Sequence, residues 1–478
     1  MTMRATDETP WLQDSFDGRY SGGRWQSASG TAHVVVDPRT ARAVATVRAV
    51  SPEEVDDAVA AAVAALPGWS ATAWEERAGA LASFQRALEA RAERIVAAIT
   101  LELGAPEKIA RAIHAGLPVA VTAATIEAAA ALAHPEEVGN SLIIREPVGV
   151  VAAITPWNYP VHQAVAKIAP AIVAGCTVVH KPSELTPLSA RLIAEAVDAS
   201  DIPAGVYNLV VGAGEVGSHL VRHPDVDMVS FTGSTRVGRD VGAAAGRAVK
   251  RVALELGGKS ASIVLDDVDD ELLRTAVKVT MANCFLNSGQ TCTAWTRLLV
   301  PAHRLGTVEA AVAEFAVRHR AGETLGPLVS ERQRERVLGL LREAVRDGAR
   351  VLVGGPDAEV PAEGFHVAPT VLADVAPDAT IAREEVFGPV LCVIACADEE
   401  DAVRIANGTD YGLAGGVWSA SREHALAVAR RIRAGQIDIN GAAFNPRAPF
   451  GGVKASGVGR ELGAHGIAEF LEPKAVQL

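Results

Sequence analysis

The sequence predicts an α/β protein with two α/β domains, each built on a parallel sheet, and a helical N-terminal segment that belongs to the first. Three observations carry this. From residue 148 short apolar runs alternate with helical segments, which is the pattern of βαβ units whose strands are buried on both faces. A second series of the same kind starts at Ala261 and continues to about residue 440. The chain has 478 residues, 49% hydrophobic and 21% charged, so it is globular and can bury large cores without disulfide staples.

In chain order, Ser51-Pro-Glu-Glu54 is a helix start: Ser51 caps, Pro52 fits the first turn and Glu54 closes a capping box. That helix is expected to stop at Pro67-Gly68. Thr72-Ala-Trp-Glu75 repeats the device and predicts a long helical stretch ending near Gly104, with an Ala-rich helix following over about 110–133. Strands are predicted over 148–154, 176–179, 207–211, 228–231 and 252–256, with helices between them, among others over 189–200 and 237–249. The second series opens with a strand at 261–265 and includes helices over 331–347 and 399–407. No repeat or low-complexity linker separates the two, so motif placement alone puts the boundary near 257.

Forty-five Lys+Arg against 57 Asp+Glu leave a formal charge of −12, which argues against nucleic acid or an anionic membrane as partner. The five cysteines are odd in number and show no CxxC spacing, so neither a zinc site nor a disulfide framework is indicated and a reducing compartment is expected. Cys392 and Cys396 lie in an apolar run and read as core residues. The N-terminus lacks a signal-like apolar region, and the Ala-rich stretch after Pro118 is interrupted by Glu127 before it reaches spanning length. A soluble, cytoplasmic protein with no membrane partner is therefore expected. The 12 histidines show no metal-ligand spacing and no HExxH, so no metal site is predicted.

Polar clusters follow four of the predicted strands, where open α/β sheets bind ligands. Ile154 precedes Thr155-Pro-Trp-Asn-Tyr-Pro160, and Val179 precedes His180-Lys-Pro-Ser-Glu184. Phe231 precedes Thr232-Gly-Ser-Thr235, and Leu254 precedes Glu255-Leu-Gly-Gly-Lys259. Phe231-Thr-Gly-Ser234 opens a helix, so its free N–H groups suit a phosphate, although a plain capped turn has the same sequence. Lys181 and Glu184 leave a strand end three residues apart, an arrangement that suits ribose hydroxyls or, equally, a surface ion pair. Gly212-Ala-Gly-Glu-Val-Gly217 matches GxGxxG, but the acidic residues of 223–228 precede the next strand instead of ending it, so it reads as a tight turn into a helix. Cys292, in Phe285-Leu-Asn-Ser-Gly-Gln-Thr-Cys-Thr-Ala294, has small polar neighbours after a glycine turn. A thiolate nucleophile needs access and an electropositive surround; a buried inert cysteine is the alternative. Glu385-Val-Phe-Gly-Pro389 and Pro449-Phe-Gly-Gly-Val-Lys454 are glycine-rich turns that carry an aromatic.

As an ordered series, Pro156-Trp-Asn158, Lys181-Pro-Ser-Glu184, Phe231-Thr-Gly-Ser-Thr235, Glu255-Leu-Gly-Gly-Lys259, Asn287-Ser-Gly-Gln-Thr-Cys292, Glu385-Val-Phe-Gly-Pro389 and Pro449-Phe-Gly-Gly452 resemble the NAD(P)-dependent aldehyde dehydrogenase superfamily of the hydrolytic, non-acylating type. The resemblance spans most of the chain. It implies an aldehyde dehydrogenase-like fold: an NAD-binding domain of residues 1–127 and 148–257, a catalytic domain of 258–455, and a small β oligomerisation element of 128–147 and 456–478. It also implies oxidation of an aldehyde to a carboxylic acid through a Cys292 thiohemiacetal and thioester. Asn158 and the Cys292 N–H would hold the oxyanion, Glu255 would act as general base, and Lys167 would support a proton relay.

Cofactor contacts carry over to Thr155, Pro156, Trp157, Lys181, Ser183, Glu184, Phe231, Gly233, Ser234, Glu255, Leu256, Gly257, Glu385 and Phe387. The substrate tunnel carries over to Tyr159, Gln163, Ala166, Thr291, Thr293, Phe444 and Phe450, with Ala166 hinting at a roomy channel. Arg447 is either a contact for an acidic substrate tail or a solvated arginine. The Glu184 carboxylate accepts from a ribose 2′-hydroxyl and repels a 2′-phosphate, which predicts NAD in preference to NADP. The expected partners are a small-molecule aldehyde and further copies of the chain, as a homodimer or homotetramer. Three other functions stay open: a CoA-acylating semialdehyde dehydrogenase, a non-redox cysteine esterase or thioesterase, and a non-catalytic relative. The presence of Glu255, Cys292 and Asn158 speaks against the first and third, and the four strand-end loops speak against the second.

Overall fold

The computed structural model describes residues 15–132 and 134–478. Its first sheet has eight strands in the order Gly457–Val458, Arg251–Glu255, Met228–Thr232, Val150–Ile154, Thr177–Lys181, Tyr207–Val210, Arg19–Ser21 and Arg24–Trp25. The five middle strands are parallel, and antiparallel pairs close both edges. From Val150–Ile154 the chain builds outward on one side as far as Tyr207–Val210, then returns to build the other side with Met228–Thr232. The strand order therefore reverses between Val150–Ile154 and Met228–Thr232, and a crevice opens at their carboxyl ends.

The strands are buried on both faces, as the unbroken apolar runs predicted, and alternate residues join different cores. Val151, Ala153 and Val178 pack with the helices Pro160–Ala174 and Pro187–Asp198. Val150, Ala152 and Val179 pack on the opposite side with Pro52–Ser70, Gly214–Arg222 and Thr235–Arg247. Period-two side-chain direction is the cause.

The second sheet has seven strands in the order Arg350–Val353, Thr370–Ala373, Val390–Cys396, Arg297–Pro301, Ala261–Val264, Ala414–Trp418 and Gln436–Ile439. All pairings are parallel except that of Arg350–Val353. Its strands alternate in the same way between two cores, and Cys392 and Cys396 are buried. Glu136–Val138, Ser141–Pro147 and Leu471–Gln477 form a separate antiparallel sheet. Of the tail, Gly457–Val458 joins the edge of the first sheet, and the helix Gly463–Ala468 lies against Gly116–Ala129.

Several local expectations change. Ser51 and Glu54 make the capping box, but the helix runs through Pro67 to Ser70. Buried Trp69 holds the last turn by donating its indole N–H to the Ile172 carbonyl at 3.0 Å. Thr72 caps nothing; its hydroxyl donates back to the Trp69 carbonyl at 2.7 Å, and the stretch after it divides into Trp74–Glu89 and Ala92–Glu102. The segment Glu107–Leu132, contrary to the sequence expectation, is long and apolar enough by composition to cross a membrane. Here it passes from α to π and back to α and packs against Trp74–Glu89 and Pro160–Ala174.

Candidate active site

The crevice at the reversal point holds a cavity of about 690 Å³. Thr155, Pro156, Trp157, Lys181, Ser183, Glu184, Phe231, Gly233 and Ser234 all line it, so three of the four strand-end loops converge on one space, and Glu255-Leu-Gly-Gly-Lys259 lies outside it. Ser234 caps the helix Thr235–Arg247, its side chain accepting from the Val237 N–H, which leaves other first-turn N–H groups at the cavity wall. Lys181 is buried; its ammonium donates to the Gly212 carbonyl at 2.7 Å and stands 3.9 Å from Glu184, which is one-third exposed. The Thr232 hydroxyl is buried with no protein partner. A helix start, a carboxylate beside an ammonium and an unpartnered hydroxyl fit a dinucleotide. The GxGxxG segment does turn into the helix Gly214–Arg222, and Gly214 and Gly217 add to the cavity wall.

The other predicted cofactor residues gather beyond this cavity, toward Cys292. Phe387 meets the Trp157 ring edge to face at 5.4 Å. Glu385 accepts from the Gly258 N–H at 2.9 Å, and a Cβ at Gly257 would lie 2.4 Å from its carboxylate, so glycine is needed for this approach. Burial raises the Glu385 carboxyl to about 7, against the pull of that N–H. Leu256 instead packs against Gly238 on the helix Thr235–Arg247.

Cys292 follows a turn that no regular helix could make. Asn287 (φ 51°) and Ser288 (φ 59°) are left-handed, and Gly289 (φ 74°) touches the Gly388 backbone so closely that a Cβ would lie 2.1 Å from its carbonyl. A ring of amides locks the turn. Asn287 donates to the Asn158 carbonyl at 2.9 Å, Asn158 to the Gln290 carbonyl at 3.0 Å, and Gln290 to the Asn287 carbonyl at 3.1 Å. Cys292 is partly exposed, whereas Cys176, Cys284, Cys392 and Cys396 are buried. The electropositive surround that a resting thiolate needs is missing. Burial raises the Cys292 pKa strongly, and the carboxylates of Glu385 and Glu255 raise it further. These surroundings favour the neutral thiol over the thiolate.

Glu255, the last residue of its strand, is buried, and neither carboxylate oxygen has a hydrogen-bond partner. Burial, and then the charge of Glu461, raise its pKa well above the ordinary carboxylate range; Lys167 and Arg460 oppose that shift, while Glu469 adds to it. Gly451 (φ 145°) leaves it room: a Cβ there would lie 2.4 Å from Glu255 Oε1. Lys167, also buried, is ion-paired with Glu461. Sequence reasoning missed Glu461, Arg460 and Glu469. Phe450 and Glu461 exchange backbone hydrogen bonds of 2.7 Å, folding the tail back over the site. The visible signal was an Arg-Glu pair set among glycines just after Pro449-Phe-Gly-Gly452.

On the substrate side the Tyr159 hydroxyl bonds Thr291 at 2.6 Å, and His114 stacks on the Tyr159 ring at 5.1 Å. Gln163 is buried with Oε1 unpartnered, and Ala166 is buried in a core beneath the first sheet. Thr293 is partly buried beside Cys292. Phe444, 40% exposed, meets Phe450 at 6.3 Å and His162 at 6.5 Å. Arg447 is bound through two hydrogen bonds, 2.8 and 3.0 Å, to Glu127, which makes it a surface ion-pair member and leaves no free cation there. The sequence reading weighed His114 and His162 only as metal ligands and found no ligand spacing, so it missed their place beside Tyr159 and Phe444. Among the described residues no cluster of three metal-binding side chains occurs.

The sequence profile of the aldehyde dehydrogenase family matches residues 25–476. The chain is 45% identical over 471 residues to a 3-succinoylsemialdehyde-pyridine dehydrogenase of Pseudomonas sp., covering 96% of this chain and 97% of that protein. It is 40% identical to the geranial dehydrogenase of Castellaniella defragrans, covering 96% and 98%. The fold superposes with a TM-score of 0.94 on a cysteine-to-alanine variant of aldehyde dehydrogenase C from Pseudomonas syringae in complex with NAD+ and octanal, at 44% identity over 98% and 97% of the two chains. With a full-length profile match and these relatives, the chain belongs to the aldehyde dehydrogenase family and is an oxidoreductase that converts aldehydes to acids.

Proposed function

We propose that the protein oxidises an uncharged aldehyde with NAD, using Cys292 as nucleophile and Glu255 as general base. The observation that carries this is Glu255: a buried carboxylate with both oxygens unpartnered, its pKa raised, on the segment that packs against the Cys292 backbone. A Cβ at Gly258 would come within 2.3 Å of the Cys292 carbonyl oxygen, so the two segments touch. Such a carboxylate is basic enough to take a proton from the thiol or from water.

Deprotonated Cys292 adds to the aldehyde carbon, and the resulting oxyanion is held by the Asn158 amide and the Cys292 N–H. One such donor typically lowers a barrier by about 2.7–4 kcal/mol. Lys181, Glu184, Ser234, Glu385 and Trp157 would hold NAD, which when bound would supply a hydride acceptor for the oxidation at Cys292. Glu255 then removes a proton from the attacking water, the C–S bond breaks, and the acid leaves with Cys292 as leaving group. Lys167 and Glu461 lie in the electrostatic field of Glu255 and suit onward transfer of that proton.

The substrate class follows from Arg447. Its pairing with Glu127 removes the one basic group of the Phe444 loop that would greet an acidic tail. Relatives named for a pyridine semialdehyde and for geranial, and a neighbour holding octanal, agree with uncharged substrates. The first sheet and its helices form the NAD-binding domain, and the second sheet forms the catalytic domain. The sheet edge Leu471–Gln477, exposed from Glu472 onward, joins copies into a homodimer or homotetramer. Five unpaired cysteines fit a cytoplasmic location.

The test is NADH formation across a panel of aliphatic, aromatic and acid semialdehydes, followed by absorbance. Uncharged aldehydes should give the higher kcat/KM. Cleavage of an ester or thioester without any aldehyde-dependent NADH would favour the esterase reading instead.

A further inference from the structure

Glu102 is the last residue of the helix Ala92–Glu102, is 1% exposed, and takes no part in the chemistry above. Its carboxylate crosses to another helix. Oε2 accepts from the Leu188 N–H at 2.7 Å and Oε1 from the Ser189 N–H at 3.0 Å. These are the first free N–H groups of Pro187–Asp198, because Pro187 has none. That helix has no local side-chain cap: Thr186 sits at the N-cap position, and its hydroxyl is buried without a partner. A residue 86 positions away in sequence does what a cap residue normally does.

The segment fixed in this way follows directly on Lys181, Ser183 and Glu184, which line the cofactor cavity. Between them and the helix the chain makes only short local bonds, from the Leu185 N–H to the Ser183 hydroxyl and from the Thr186 N–H to the Ser183 carbonyl. The chain just after Glu102 is closely packed. Gly104 (φ 74°) abuts Pro327, where a Cβ would come within 2.6 Å of the proline ring, and Gly326 is equally tight against the Gly104 carbonyl. Loop 326–329 is tied in turn to the nucleophile turn through Ser288 (2.8 Å to the Gly326 carbonyl) and Gln290 (2.9 Å from the Val329 N–H).

We infer that Glu102 is a positioning residue for the cofactor: by capping Pro187–Asp198 from a distance it sets the Lys181–Glu184 loop in the conformation that receives the adenosine ribose. The inference rests on NAD occupying the crevice. Burying two N–H donors without an acceptor is costly, and Glu102→Gln keeps the shape while turning a donor toward one of them.

The experiment uses the full-length enzyme. The NAD dissociation constant is measured by calorimetry, and KM for NAD and kcat are measured at saturating aldehyde. Glu102→Gln is expected to raise the NAD Kd about tenfold while kcat changes less than about threefold. Glu102→Asp, which keeps the carboxyl group but withdraws it by one methylene, should raise Kd about threefold and serves if the Gln variant does not fold. Adding Thr186→Asp to either variant places an acceptor at the local cap and should recover most of the loss. A lowered melting temperature with an unmoved Kd overturns the inference, as does a raised Kd that Thr186→Asp leaves unchanged. Wild-type protein that binds no NAD sinks the cofactor reading and Glu102 with it; wild-type binding with unaffected variants sinks Glu102 alone.

Discussion

Two lysine–glutamate pairs flank the reaction path, and they differ in almost every physical respect. Lys181 and Glu184 are three residues apart, 3.9 Å between charged atoms, with the carboxylate one-third exposed to the cavity. Lys167 and Glu461 are 294 residues apart, in direct contact and buried, within the field of Glu255. The exposed carboxylate of the first pair is free to accept from a ligand. The second has no solvent to screen it, so its charges act on each other and on the base. The pair at the cavity presents its charges to the crevice, and the buried pair sets the electrostatics of Glu255.

The largest expected effect tests the base itself. Glu255→Gln should cut kcat by about 10³-fold. A pre-steady-state burst of NADH, up to one equivalent per site, should survive if hydrolysis is the step lost; loss of the burst as well would make Glu255 the base for Cys292 too. Next comes the buried pair. Lys167→Met strands Glu461, and breaking a buried pair of this kind typically costs about 3–5 kcal/mol, measurable by denaturant unfolding. It also removes a positive charge that lowers the Glu255 pKa, so the rising limb of the pH–kcat profile should move to higher pH.

The cavity pair should give a smaller change that shows in cofactor choice. Glu184→Ser should narrow the NAD over NADP ratio of kcat/KM by about tenfold, since one carboxylate near a 2′-phosphate is removed. An unchanged ratio would take Glu184 out of cofactor selection. Glu385 adds a pH test. Its pKa is raised to about 7, so the ionised form that accepts ribose hydroxyls is gained as pH rises through that value. KM for NAD should fall across the same range, and Glu385→Gln should flatten the dependence. The least change is expected at Arg447. Its pair with Glu127 is exposed on both sides, so Arg447→Ala should alter kcat/KM for uncharged aldehydes less than about twofold. A selective loss for acid semialdehydes would reopen its role in substrate choice.

Residues that act through local sequence were legible. The strand-end loops carrying Thr155, Lys181, Phe231 and Ser234 were visible in the sequence and line one cavity, because apolar period and turn chemistry are properties of a few consecutive residues. The capping box at Ser51 was legible for the same reason, whereas the stop at Pro67 was not. A tertiary bond from Trp69 to Ile172 outweighs the amide that proline lacks. The acid cluster was illegible beyond Glu255 and Lys167, since Glu461 arrives through a backbone bridge to Phe450 at the tail.

The sequence by itself determined the fold class and the polar loops at the strand ends, since each depends on short-range pattern, whereas Cys292 and Glu255 took their expected roles from the family resemblance. Only the tertiary structure decided the upward shift of the Cys292 pKa, the partner of Lys167 and the cap supplied by Glu102. Those depend on how far solvent is excluded and on which distant charges and N–H groups are brought together, and neither quantity exists until the chain has closed on itself.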